Sequence, residues 1–151
     1  MTILFTVHGR LAGAGSKTFL PKGGKTGGRP IAMPASKYTK PWMQSVSAEA
    51  AEAMQGRELI RGPVAVGYWF YCPRPQAHYN SKGQLKASAP YYPSHRKEPD
   101  WDKLARSVSD SMTGIVWHDD RQVVQGEVHV MYGEPMRAEI SVTDLETEAT
   151  K

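Results

Sequence analysis

Apolar and polar positions alternate from Thr2 to His8, with Ile3, Phe5 and Val7 set against Thr2, Leu4 and Thr6, which is the period of a half-buried strand. Gly9 ends it. From Tyr38 to about Arg57 the period lengthens: Trp42, Val46, Ala50 and Ala53 recur at helical spacing, with Pro41 near the start and Gly56 at the close. Gly62-Pro63 then introduces Val64 to Cys72, a run apolar on both faces, as expected of a central strand. Leu104, Val108 and Met112 form the apolar stripe of a second helix, with Gly114 as the residue just past its end. Ile115, Val116 and Trp117 read as a short strand. Gln122 to Tyr132 and Met136 to Thr143 read as two more, around a turn at Gly133-Glu134-Pro135. The tail from Asp144 to Lys151 has no apolar pattern and is expected to fray. This order predicts a single α+β domain in which helices pack on one face of a mixed β-sheet.

Two stretches resist regular structure. Residues 9–34 are rich in glycine, proline and lysine, with Thr18-Phe19-Leu20 and Arg29 to Met33 as arms of a hairpin; composition alone suits a solvated loop or a DNA clamp equally. No Gly-Lys-Ser/Thr opens a helix there, so it is not a phosphate-binding P-loop. Residues 73–99 are punctuated by Pro73, Pro75, Pro90, Pro93 and Pro99. In that loop His78, Tyr79, Tyr91, Tyr92 and His95 interleave with Lys82, Lys86, Arg96 and Lys97. Such a mixture either grips nucleic acid or pins the loop to the sheet.

The chain has 151 residues, 40% of them hydrophobic, enough for one core. Its net charge of +4 is unevenly spread. No Asp or Glu occurs from Met1 to Ala48, where Lys17, Lys22, Lys25 and Arg29 lie, and a second acid-free run separates Glu58 from Glu98. Acids held apart from cations in this way suit a phosphate backbone around a metal site. Cys72 is the lone cysteine, which excludes an intramolecular disulfide and a cysteine zinc site and points to a reducing, cytoplasmic compartment. Ile3-Leu4-Phe5 is too short for a signal peptide or a membrane span.

The densest chemistry lies between Lys97 and Val124. Pro99 favours an extended entry, so Asp100 and Asp102 are expected to point to one side, with Asp102 as N-cap of the second helix. The expected return through Ile115 to Trp117 carries Asp119 and Asp120 back toward the helix start. Clustered carboxylates repel one another unless a cation sits among them, and hard oxygen ligands of this kind suit Mg2+, with Mn2+ as an alternative. Asp100, Asp102 and Asp120 are the candidate metal ligands and catalytic residues, and Asp119 is a further candidate ligand. Arg106, one turn after Asp102, is the candidate for stabilising charge on the reacting phosphate, with Lys103 as second choice. Read singly, each of these aspartates is equally a cap or a turn residue.

Asp100, Asp102, Leu104, Asp110, Gly114, Asp119, Asp120, Gln122 and Val123 resemble the signature of the RusA family of Holliday junction resolvases. The pattern departs in two places: Lys103 stands where many members have Asn, and Arg106 where many have Lys. The resemblance implies a RusA-like fold and a homodimer that resolves four-way DNA junctions in recombination and repair, leaving 5′-phosphate and 3′-hydroxyl ends. It also implies a phage or prophage origin. Candidate DNA contacts are Lys17, Lys22, Lys25, Arg29, Arg74, Arg96, Lys97 and Lys103. Two other classes stay open: a DNA-binding protein without catalysis, and a phosphohydrolase of small phosphates suggested by His118-Asp119.

Overall fold

In the computed structural model, which describes residues 1–15, 17–20, 31–34 and 36–149, the alternating N-terminal run forms β1 (Thr2–His8). A short hairpin follows, β2 (Lys17–Leu20) and β3 (Ile31–Pro34), paired from Lys17↔Pro34 to Leu20↔Ile31. Then come α1 (Thr39–Met54), β4 (Val64–Cys72), α2 (Trp101–Met112), β5 (Val123–Tyr132), β6 (Arg137–Asp144) and α3 (Leu145–Ala149).

The main sheet has the order β1-β6-β4-β5. β6 pairs antiparallel with both β1 and β4, and β4 pairs parallel with β5. A parallel pair needs a long crossover. Here it is the 73–99 loop followed by α2, and this crossover carries the acidic signature. β5 and β6 are consecutive but do not pair; β4 lies between them, and Gly133 N donates to Cys72 O at 2.9 Å as the chain passes the end of β4.

Alternation decides the two faces. Val64, Val66, Tyr68, Phe70 and Cys72 of β4, Ala138, Ile140 and Val142 of β6, and Ile3 and Val7 of β1 are buried, and they share one core with Trp42, Val46, Ala50, Leu104, Val108 and Met112 from the helices. Each fully buried aliphatic side chain contributes roughly 1.5–3 kcal/mol. Serines let the helices approach: Trp42 Nε1 donates to Ser107 Oγ at 3.2 Å, and Ser47 Oγ to the Ser111 carbonyl at 2.9 Å. The opposite sheet face carries Trp69 stacked on His129, with centroids 5.8 Å apart, and Arg137 over the Tyr71 ring at 3.9 Å.

A register shift pairs Val64 with Val123 but Ala65 with Gln125, inserting one residue into β5 and leaving Val124 60% exposed. Two expectations are corrected. The tail forms the short α3, with Leu145 N donating to Pro63 O at 3.0 Å. Ile115 to Trp117 is a turn wrapped around the end of α2 and not a strand: Ile115 N and Val116 N both donate to Met112 O, and Gly114 N to Trp117 O at 2.7 Å. None of the helices among the described residues is long and apolar enough to cross a membrane.

Candidate active site at the two ends of one helix

Helix α2 starts two residues earlier than its sequence suggests. Asp100 is the N-cap, extended at φ −57° and ψ 151°, its side chain making no capping hydrogen bond, and Asp102 lies in the first turn. Both carboxylates face solvent, and Lys103 Nζ stands 3.8 Å from Asp100 Oδ2. The segment before it is fixed by Arg96, which donates to the Pro93 carbonyl at 3.2 Å and, through Nη2, to the Pro99 carbonyl at 2.8 Å.

A Gly-Ala-Gly stretch runs along the outside of this first turn. Ala14 N donates to the Lys103 carbonyl at 3.0 Å. A Cβ on Gly13 would meet Lys103 Cβ at 2.9 Å, and one on Gly15, whose φ is +99°, would meet the Arg106 guanidinium at 3.0 Å. Close approach and left-handed backbone both require glycine here. The stretch leads to the β2–β3 hairpin, so the base of the basic arm touches the two cationic side chains of the signature helix.

The aspartates of the second pair do not return to the helix start, as expected, but to its far end. Asp102, Arg106 and Asp110 follow at four-residue intervals along one exposed stripe, and eight residues at ~1.5 Å each separate Asp102 from Asp110 by about 12 Å along the axis. Arg106 Nε lies 3.8 Å from Asp110 Oδ2. Asp120 comes close to Asp110 there, near enough for the two carboxyl groups to influence each other's charge. Asp120 Oδ1 also accepts from the Thr113 hydroxyl and, at 3.1 Å, from Nε1 of the buried Trp117. Burial first, then the neighbouring Asp120, push the Asp110 carboxyl above its ordinary value. Beneath them the Tyr68 hydroxyl bonds Ser109 Oγ at 2.8 Å, and burial raises its pKa strongly.

Asp119 points elsewhere. Its carboxylate accepts from Arg121 N at 2.8 Å and from the Arg121 guanidinium at 3.1 and 2.9 Å, and this side-chain bonding holds its pKa down to about 2. Gln122 staples the turn. Its Oε1 accepts from His118 N at 2.8 Å and Asp119 N at 3.0 Å, while its Nε2 donates to the Ile60 and Gly62 carbonyls at 2.8 and 2.9 Å. The signature contains Gln122, but sequence assigned it no role; the amide has one because it carries an acceptor oxygen and two donor hydrogens on one group, and uses all of them here. Thr113 and Trp117 were likewise unmarked, Trp117 being legible only as an apolar residue.

Among the cationic candidates, Arg74 lies over the Tyr132 ring at 4.3 Å and, with Arg96, Lys97 and His95, lines a cavity of about 250 Å³. A second cavity of about 390 Å³ shares Lys97 and Glu98 and adds Arg10, which lies 4.0 Å over the Tyr38 ring. Lys103 flanks Asp100. Lys17 lies in β2, and Lys22, Lys25 and Arg29 lie outside the described residues.

The donor chemistry fits a divalent cation in pairs. Mg2+ is commonly held by one or two carboxylates, with waters and substrate phosphates completing its shell. The Asp110–Asp120 contact is a pair whose mutual repulsion an ion would relieve. Asp100 and Asp102 offer exposed carboxylates at the other end. Among the described residues no group of three or more His, Cys, Asp or Glu gathers in a metal-binding arrangement.

A family model described as Endodeoxyribonuclease RusA matches residues 19–143. The chain is also 28% identical, over 143 residues, to the uncharacterized protein YqaN of Bacillus subtilis (strain 168), a match spanning 95% of this chain and 96% of that one.

Proposed function

Because the chain belongs to the RusA family of endodeoxyribonucleases, we propose that it cuts four-way DNA junctions in recombination and repair, using Mg2+ or Mn2+ and acting as a cytoplasmic homodimer. The observation that supports this most directly is the hydrogen-bonded presentation of Asp120 beside Asp110, on the helix that carries Asp100, Asp102 and Arg106. A turn aspartate with a purely structural role does not need a buried indole and a hydroxyl aimed at the oxygen it turns toward another carboxylate.

In this reading Asp100 and Asp102 at the first turn, and Asp120 beside Asp110 at the last, would each hold a divalent cation as a carboxylate pair, and Asp119, already bound to Arg121, would steady the turn that delivers Asp120. When bound, the ion polarises a phosphoryl oxygen and lowers the pKa of a water. Arg106 sits between the two acidic ends, where it stabilises the charge that builds on the phosphate. Lys103 screens Asp100. Arg74, Arg96 and Lys97, with Lys17, Lys22, Lys25 and Arg29 of the arm, hold the DNA backbone, and neutralising any one of these cations should flatten the log–log salt dependence of binding by about one unit. The products are a 5′-phosphate and a 3′-hydroxyl. Two symmetric cuts call for two sites, which a twofold dimer supplies; light scattering should give twice the chain mass of 16.7 kDa.

The deciding experiment is incubation with a labelled four-way junction and a matching linear duplex, in Mg2+ or in EDTA. Paired nicks in the junction that require Mg2+ are expected. Binding without cutting in either condition makes the protein a DNA-binding module, and hydrolysis of a free nucleotide without DNA cleavage makes it a small-phosphate hydrolase.

A further inference from the structure

Among the described residues the exposed large apolar side chains are Leu4, Leu85, Tyr91, Tyr92, Trp101 and Val124, and every aromatic one falls between positions 91 and 101. Tyr91 is 77% exposed, Tyr92 66% and Trp101 61%. Trp101 stands between Asp100 and Asp102, at the first position of α2. The tyrosines meet edge to face, with centroids 4.8 Å apart.

Exposed aromatics on a floppy loop mean little, but this loop is clamped. Arg74 Nη1 donates to the Pro90 carbonyl at 2.7 Å, just before the tyrosines. Just after them Ser94 N donates to Tyr92 O at 2.9 Å. The Arg96 guanidinium then joins the Pro93 carbonyl to the Pro99 carbonyl, so one rigid group ties the tyrosine turn to the residue that precedes Asp100. Holding these rings in water is unfavourable unless something covers them. The surroundings say what: the run from Arg61 to Lys97 contains no acid, Arg74 holds the Pro90 carbonyl next to Tyr91, and Arg74, His95, Arg96 and Lys97, with Glu98, line a cavity formed by the same loop. A protein surface needs no such excess of positive charge; an anionic polymer with aromatic faces does.

We propose that Tyr91, Tyr92 and Trp101 form a base-stacking platform that takes the unstacked bases at a DNA branch point and sets the scissile phosphate against Asp100 and Asp102. The inference rests on the nuclease reading above and adds how a branch is told from a duplex: only at a branch do base faces become available without breaking pairs. Arg96 transmits the register from the platform to the acidic end of the helix. The rings position the substrate and take no part in proton transfer.

The test measures binding in EDTA, so that cleavage is not needed, on a four-way junction carrying 2-aminopurine at the branch and on the matching duplex. The parental protein should bind the junction more tightly than the duplex and change the 2-aminopurine emission. Tyr91→Ala/Tyr92→Ala and Trp101→Ala should each lower junction affinity about tenfold or more, leave duplex affinity in place and lose the emission change. The Tyr91→Phe/Tyr92→Phe and Trp101→Phe variants, which keep a stacking face, should behave as parental. Leucine at the same positions keeps apolar bulk without that face and should follow alanine; it replaces alanine wherever the melting temperature falls. The proposal is overturned if the alanine and leucine variants keep the parental preference for the junction, if both DNAs weaken equally, or if the variants instead split a dimer by light scattering. A parental protein that cuts the junction while the variants bind like it defeats the platform alone. A parental protein that neither binds nor cuts it defeats the nuclease reading and the platform together.

Discussion

The two ends of α2 carry the same kind of residue in opposite states. At the first turn Asp100 and Asp102 stand in solvent beside Lys103, with no hydrogen bond capping the helix. At the last turn Asp120 is gripped by Thr113 and Trp117 and lies against Asp110, above the buried Tyr68 and its partner Ser109. Carboxylates that do not cap where a cap is wanted are available to a ligand. Carboxylates that are fixed next to one another are already arranged for one, at a cost to the empty fold. One end is open and the other has its geometry fixed by its neighbours.

The largest effect should come from the open end. Asp102→Asn keeps the side-chain shape and removes a charge, and junction cleavage should fall by ~10²–10³ or more while junction affinity in EDTA is kept or rises. Cleavage near the parental rate would remove Asp102 from the proposed site, and joint loss of binding and folding would make it a structural residue. Asp100→Asn should follow it.

Asp120→Asn probes the fixed end. Cleavage should fall comparably, yet the melting temperature without metal should not fall, because the amide still accepts from Thr113 and Trp117 and no longer repels Asp110. Asp110→Asn should show the thermal half of this alone: a melting temperature that is kept or slightly raised, because burial and the neighbouring Asp120 disfavour the charged carboxyl, with only a modest loss of cleavage. A drop in melting temperature for both variants would show that the carboxylate pair stabilises the fold.

The smallest effect belongs to Arg121→Ala. Asp119 has a folded pKa held at about 2 by Arg121, below its ordinary value. Its contribution to stability is therefore present above that ordinary value and is lost as pH falls toward 2. Because both groups are exposed the contribution is slight. The variant should show a flatter acid limb in melting temperature against pH, with cleavage at neutral pH close to parental; a loss as large as that of Asp120→Asn would move Asp119 into the metal shell.

What was legible in the chain follows from how local each signal is. β1, α1 and β4 were readable because their periods of alternation, helical recurrence and continuous apolarity are set by which side chains reach the core. The aspartates were readable by type, since few other side chains suit a hard cation. Their arrangement was not. Ile115-Val116-Trp117 has the composition of a strand, but its amides close a turn on Met112, and that choice depends on α2 being present to supply the carbonyl. The bulge that turns Val124 outward is set by the partner strand, β4. Asp102 as N-cap missed by two positions because the residue before a helix is fixed by backbone angles and not by side-chain type. Thr113 and Trp117 acquire their meaning only once Asp120 lies against them.

Gly13 and Gly15 carry a consequence for how such chains diverge. The backbone there passes so near Lys103 and Arg106 that the room for those two side chains is set by residues that precede α1 in the chain. Positions 13 and 15 are thus heritable together with 103 and 106. A descendant that rebuilds the arm with bulkier residues at its root must also redraw the outer surface of the helix, and a chimera that grafts a foreign arm onto this helix inherits a misfit unless all four positions travel as a block.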